Sequence, residues 1–223
     1  DPGITAIIVR IDSPGGSAFA SDMVWWADSG TTTGGTTSNG AREYRPSAAV
    51  TRDVMAALLY RLAGQPAYAP PPTSPFTGVP TDHPFYREIM WLSSSGITEG
   101  WQTGDSAPQF RPGEAVTRDV MAAFLYRFAQ SPSFHAPSSS SFIDVGVDHV
   151  FYDEITWLAA RGISAGWAAG GGDEFRPTAV VTRDVMAAFL HRLHGYLDAF
   201  SDVASATSPP TYSVFATQDA WLA

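Results

Sequence analysis

Val50-Thr51-Arg52-Asp53-Val54-Met55-Ala56-Ala57 recurs without change as Val116-Thr117-Arg118-Asp119-Val120-Met121-Ala122-Ala123 and as Val181-Thr182-Arg183-Asp184-Val185-Met186-Ala187-Ala188, at spacings of 66 and 65 residues. Repetition of apolar and polar residues at one period specifies copies of a single supersecondary unit, which bury their apolar faces against one another. The period extends outward from this core. Tyr44-Arg45-Pro46, Phe110-Arg111-Pro112 and Phe175-Arg176-Pro177 precede the three copies by the same distance, and Trp25, Trp91 and Trp157 keep register, each followed five residues later by Gly30, Gly96 or Gly162.

The second copy gives the order of elements. Residues 76–80 form a short apolar lead. Residues 84–94 have helical spacing, with Phe85, Ile89 and Leu92 on one side. Gly96, Gly100 and Gly104 surround Trp101 in a loop that needs positive φ, and Phe110-Arg111-Pro112 restarts an extended segment. Thr117 then stands as N-cap of the longest helix, Asp119 puts a carboxylate in its first turn, and Met121, Phe124, Leu125 and Phe128 form its apolar stripe. Met55, Leu58, Leu59 and Leu62 repeat that stripe, as do Met186, Phe189, Leu190 and Leu193. Three helices that each cover one side of a core are expected to bundle about a shared axis, in a mainly α chain. Residues 65–74, with four prolines, and the serine- and proline-rich 131–141 read as linkers.

Composition bounds the function. The chain of 223 residues is 44% hydrophobic and 16% charged, enough apolar material for a core. Its net charge of -9 opposes nucleic acid or an anionic membrane as main partner, since both reward basic surfaces. There is no lysine, and no cysteine, which removes disulfides and thiolate metal sites. No apolar run is long enough to span a bilayer. Because the sequence starts at Asp1, we expect a fragment or a processed form.

The ordered set of aromatic-x-Asp-Val, His-x-Phe-Tyr, Gly-Ile, Gly-Trp, Phe-Arg-Pro and Val-Thr-Arg-Asp strongly resembles the S-layer homology (SLH) repeat over residues 22–223. The resemblance implies a pseudo-threefold array of helix-loop-helix repeats around a central three-helix bundle. It further implies a non-catalytic module that holds an exported protein to the cell envelope by binding secondary cell wall polysaccharide or a peptidoglycan-linked glycan, often through a pyruvylated sugar. Under it, Arg52, Arg118 and Arg183 pair with the anionic ligand from grooves between repeats, helped by loop backbone around Gly96 and Gly162, by Asp144, and by stacking on Trp101 and Trp167. Free backbone N–H groups beside a helix-start arginine suit such an anion. The repeats fall at 25–64 (incomplete), 75–130 and 141–195, and 196–223 begins a further one, since Phe200-Ser201-Asp202-Val203 parallels Phe142-Ile143-Asp144-Val145. Two departures stand out. Val54, Val120 and Val185 replace the family's usual capping glutamate, and Gly78 replaces the leading aspartate of the second repeat.

Residues 1–24 differ. A mostly aliphatic stretch at 4–11 runs into Asp12-Ser13-Pro14-Gly15-Gly16, which looks like signal peptide peptidase A, where such a turn helps form an oxyanion hole. Without lysine a Ser-Lys dyad is impossible, so the alternative functions are an inactive peptidase remnant on a repeat scaffold, or a scaffold for protein contacts. Among the repeated side chains, Trp91, Trp101, Trp157 and Trp167 read from the residues alone more readily as core than as sugar platforms. His83 and His149 read as caps rather than metal ligands. Asp144, Asp148 and Asp153 lack a calcium-loop pattern, and Glu88 and Glu154 recur in register rather than as a converging catalytic pair. No cofactor is expected.

Overall fold

The computed structural model describes residues 35, 36, 42, 43, 45–104 and 106–206. The likeness of residues 1–24 to a peptidase therefore falls outside the described residues, as does the tail beyond residue 206. Five helices carry the described fold: α1 Arg52–Leu62, α2 Tyr86–Ser94, α3 Arg118–Phe128, α4 Tyr152–Ala160 and α5 Arg183–Ala206. Three antiparallel two-stranded ribbons accompany them: β1 Gly35–Thr36 with β2 Arg42–Glu43, β3 Trp101–Thr103 with β4 Ser106–Gln109, and β5 Trp167–Ala169 with β6 Gly172–Glu174. Helix α1 packs closely on α2, and α3 on α4.

The expected stripes are the core. Met55, Leu59, Met121, Leu125, Met186 and Leu190 have no exposed surface, and they join Ile89, Leu92, Ile155 and Leu158 from the shorter helices in one cluster. Trp91 and Trp157 lie in it as well, edge-on to Tyr60 and Tyr126 at 5.3 Å, as expected of core indoles. The linkers are bound down. Proline carbonyls that no proline N–H can pair accept tyrosine hydroxyls: Tyr60 Oη donates to Pro66 O at 2.7 Å and Tyr86 Oη to Pro71 O at 2.9 Å, and Tyr126 and Tyr152 do the same to Pro132 and Pro137.

The segments before α1, α3 and α5 meet in a closed ring. Val50 N–H donates to Val181 O at 2.9 Å, Val181 N–H to Val116 O at 2.8 Å, and Val116 N–H to Val50 O at 2.9 Å. The first-turn donors of each long helix go the opposite way round: Arg52 and Asp53 N–H to Glu114 and Pro112 O, Arg118 and Asp119 to Ala179 and Pro177 O, Arg183 and Asp184 to Ala48 and Pro46 O.

This corrects the expected cap. Thr51, Thr117 and Thr182 occupy the position before each helix, yet their hydroxyls donate to Asp53, Asp119 and Asp184 instead of accepting from the helix. Those carboxylates accept the next N–H, of Val54, Val120 and Val185, at 2.7–2.8 Å. The neighbouring turn takes two orphan donors and the aspartate a third, so the helix start has no need of a glutamate.

A second correction concerns the aromatic-Arg-Pro triplet, which turns sharply rather than running extended. Arg45, Arg111 and Arg176 have φ of 51°, 56° and 59°. Their carbonyls accept from Ala48, Glu114 and Ala179 three residues on, with proline at the second place of the turn. At the other end of the chain, α5 continues without interruption through Gly195 to Ala206. Residues 201–203 are thus helical, whereas 143–145 form a turn and loop, and the two stretches differ in backbone.

Candidate functional site

Each long helix opens with an arginine, and two of these lie under a half-exposed tryptophan. Arg52 and Arg118 retain 3% of their exposure. Arg52 Nε donates to Phe110 O at 2.7 Å, and Arg118 Nε to Phe175 O at 2.6 Å. The Arg52 guanidinium stands 4.0 Å from the ring centre of Trp101, with Phe110 and Phe124 at 4.8 and 5.3 Å. Arg118 repeats this on Trp167, Phe175 and Phe189 at 4.0, 4.6 and 5.2 Å. A second arginine sits over each tryptophan, Arg111 or Arg176, at 4.9 Å. Both indoles are therefore engaged by guanidinium groups, and their partly exposed remainder faces outward.

The arginines of the aromatic-Arg-Pro triplets were not foreseen at this site. A signal existed in the identical placement of a bulky residue where the chain reverses. The left-handed backbone at Arg111 and Arg176, a conformation disfavoured for a side-chain-bearing residue before proline, accompanies their contact with the tryptophans.

Burial lowers the pKa of Arg52 to about 10 and of Arg118 to about 9. Loss of solvent is the main cause; Glu114 and Asp144 pull upward, while Arg111 and Arg176 push further down. Because the folded values lie below the ordinary guanidinium value, the unfolded chain holds more protons from about pH 9 upward. The two buried cations thus detract from stability at neutral pH, and that penalty lifts only as pH rises through this range. Buried charge of this kind is poor evidence of a stabilising role.

Their donors are unevenly used. Arg118 Nη2 donates to the buried Ser164 Oγ at 3.3 Å. The terminal nitrogens of Arg52 have no acceptor among the described residues. The backbone N–H groups at the starts of α1, α3 and α5 are all engaged, so the expectation of free helix-start donors beside the arginines is corrected: the adjacent repeat has consumed them.

The other candidates have defined local roles. Gly96 and Gly162, at φ +70° and +67°, end α2 and α4 with paired bonds: Gly96 N–H to Ser93 O and Ile97 N–H to Leu92 O, repeated by Gly162 to Ala159 and Ile163 to Leu158. Their N–H groups are committed to closing helices. Asp144 Oδ1 accepts from Phe175 N–H at 2.8 Å and Oδ2 from Arg176 N–H at 2.7 Å, clamping the turn that holds Arg118. Arg183 is half-buried. His83 and His149 cap as expected, Nδ1 accepting from Phe85 or Phe151 N–H at 3.1 Å. Their Nε2 atoms face Asp53 and Asp119 of the preceding helix at 3.7 Å. No described helix is long and apolar enough to cross a membrane.

Residues 75–119 and 146–184 match the family model of the S-layer homology domain. These two stretches contain Arg118 and both tryptophans of the site, and Asp144 lies just before the second. The match does not extend to residues 1–24. No curated protein matches the chain.

Proposed function

We propose that the chain is a non-catalytic cell-surface anchoring module whose repeats bind secondary cell wall polysaccharide, with acidic groups of the glycan, such as pyruvyl ketals, received at the Arg52 and Arg118 grooves. S-layer homology domains are in general cell wall anchors, and residues 75–119 and 146–184 match that family's model. The observation that carries the site assignment is chemical: two cations are held in the interior at a cost to stability, each beneath a tryptophan whose rim is open, and the terminal donors of Arg52 meet no acceptor among the described residues. A guanidinium offers paired donors to a carboxylate, and a neighbouring indole gives an apolar surface to a sugar ring.

The same reading makes the repeats a pseudo-threefold unit, with α1, α3 and α5 as its central bundle. The ring of Val50, Val116 and Val181 supports this, since each repeat donates to a neighbour in the same sense. Arg183 would head a third groove.

Co-sedimentation of the purified chain with protein-free cell wall sacculi tests the proposal. Binding is expected to intact sacculi and to disappear after chemical removal of their secondary polysaccharide. Equal binding to both preparations, or none to either, would overturn it.

A further inference from the structure

A recess of another kind lies apart from the two grooves. A cleft of about 380 Å³ opens where residues 147–150 lead into α4, against Tyr126 on α3, and none of its lining residues belongs to the Arg52 or Arg118 groove. Such a volume suits a single side chain or a small ligand. Tyr60, which matches Tyr126 in the first repeat, keeps only 5% of its surface exposed, whereas Tyr126 is half-buried.

The polar side chains of the lining offer acceptors. Asp153 and Glu154 stand in the first turn of α4, and neither has an ion pair among the described residues. Tyr126 and Tyr152 spend their hydroxyl hydrogens on Pro132 and Pro137 O, at 2.8 and 2.9 Å, so their oxygens can only accept. His149 Nδ1 accepts from Phe151 N–H, and its Nε2 faces Asp119 at 3.7 Å. Burial raises the Tyr126 hydroxyl above its ordinary pKa, and Glu154 and Asp153 raise it further, so negative potential reaches that wall. The rest of the lining is apolar and open, with Val147 58% and Val150 78% exposed.

The dipole of α4 favours acid in its first turn, but it does not require Asp153. The second repeat builds the matching helix with Arg87 there, and it has Thr81 and Pro84 where the two valines stand. Asp153, Val147 and Val150 are therefore particular to this face, and all three line the cleft.

We infer that the cleft is a docking site for a basic segment of a partner protein, in which a lysine or arginine lies between apolar residues. The cationic head sits beside Asp153, Glu154 and the Tyr126 ring, and its apolar neighbours cover Val147 and Val150. Charge complementarity selects this occupant. A head that only donates answers side chains that only accept, an aromatic wall attracts it, and apolar surface holds its stem. A sugar brings hydroxyls that also seek donors, and the lining side chains leave none uncommitted. The site is independent of the anchoring reading.

NMR titration of the full chain with an acetylated, amidated leucine-lysine-leucine peptide tests this, with leucine-glutamine-leucine and glucosamine as counterparts. The lysine peptide is expected to give saturable shifts at the Val150, Asp153 and Glu154 amides, and the other two to bind at least about tenfold more weakly. Asp153→Arg installs the residue that the second repeat carries in a helix of the same length, and should weaken the lysine peptide about tenfold or more. Glu154→Gln should weaken it about threefold. No saturable shift with the lysine peptide, equal binding of the glutamine peptide, or undiminished binding in Asp153→Arg would overturn the inference. Glucosamine binding as tightly as the lysine peptide would give the cleft to an amino sugar, and a dimer that Asp153→Arg dissolves in sedimentation velocity would give it to a second copy; either result overturns it. Co-sedimentation with sacculi keeps the two claims apart, because Asp153→Arg should leave it unchanged. Peptide binding without wall binding refutes the anchor alone, and wall binding without peptide binding refutes the docking site alone.

Discussion

The Phe110 and Phe175 turns are built from nearly the same residues to nearly the same distances, yet one is closed by a carboxylate of its own chain and the other is not. The comparison separates what the repeat must keep from what it can vary. Arginine under tryptophan, carbonyl on Nε and the left-handed turn recur in both, so they belong to the scaffold. Gly78 for Asp144 and Gln109 for Glu174 break the repeat, and both remove negative charge from the same groove.

The largest expected effect breaks the scaffold. Arg118→Ala should destabilise by about 3 kcal/mol in urea denaturation, because Phe175 O and Ser164 lose their donor and the rings lose their filling; Arg52→Ala should cost less by about 1 kcal/mol, having no partner equivalent to Ser164. Equal losses would show that the Ser164 bond adds nothing. Next, Asp144→Asn keeps one acceptor and loses the charge, and should cost about 1.5 kcal/mol. Gly78→Asn, at the matching position, removes no bond, and its melting curve should move less.

A smaller change comes from pH. A cation that loses its proton loses its anion, so binding of an acidic wall glycan at the Arg52 groove, followed by co-sedimentation with sacculi, should hold at neutral pH and decline as pH rises through about 10. Binding unchanged across that range would mean that Arg52 does not set the affinity. The smallest effect lies where the helices end. Helices α1 and α3 close with the same pair of bonds, but Gly64 holds the left-handed position in one, at φ +75°, and Gln130 in the other, at +64°. Gln130→Gly should stabilise by about 0.7 kcal/mol, and Gly64→Gln should cost a similar amount.

Sequence alone carried the helices, their stripes, the tryptophan core and the histidine caps, because each rests on side-chain periodicity or on a residue type with a local preference. It also brought Arg52, Arg118, Trp101 and Trp167 forward as one set. What it could not carry was written in backbone. The bonds from Arg52 and Asp53 N–H to Glu114 and Pro112 O join groups that every residue possesses, and no side chain records the pairing. The left-handed Arg111 defies the rule that assigns positive φ to glycine. Asp144 was legible as a carboxylate at a groove, but its commitment to two N–H groups was not.

The ring of Val50, Val116 and Val181 changes what kind of array this is. A linear stack of repeats has a first and a last member, which fray, need polar covers and unfold stepwise. A circle has neither. Releasing any one member strips both donors and acceptors from each of its neighbours, so melting one repeat unseats both. Heating should therefore give a single transition, and a protease acting on the native protein should find no terminal repeat to peel away.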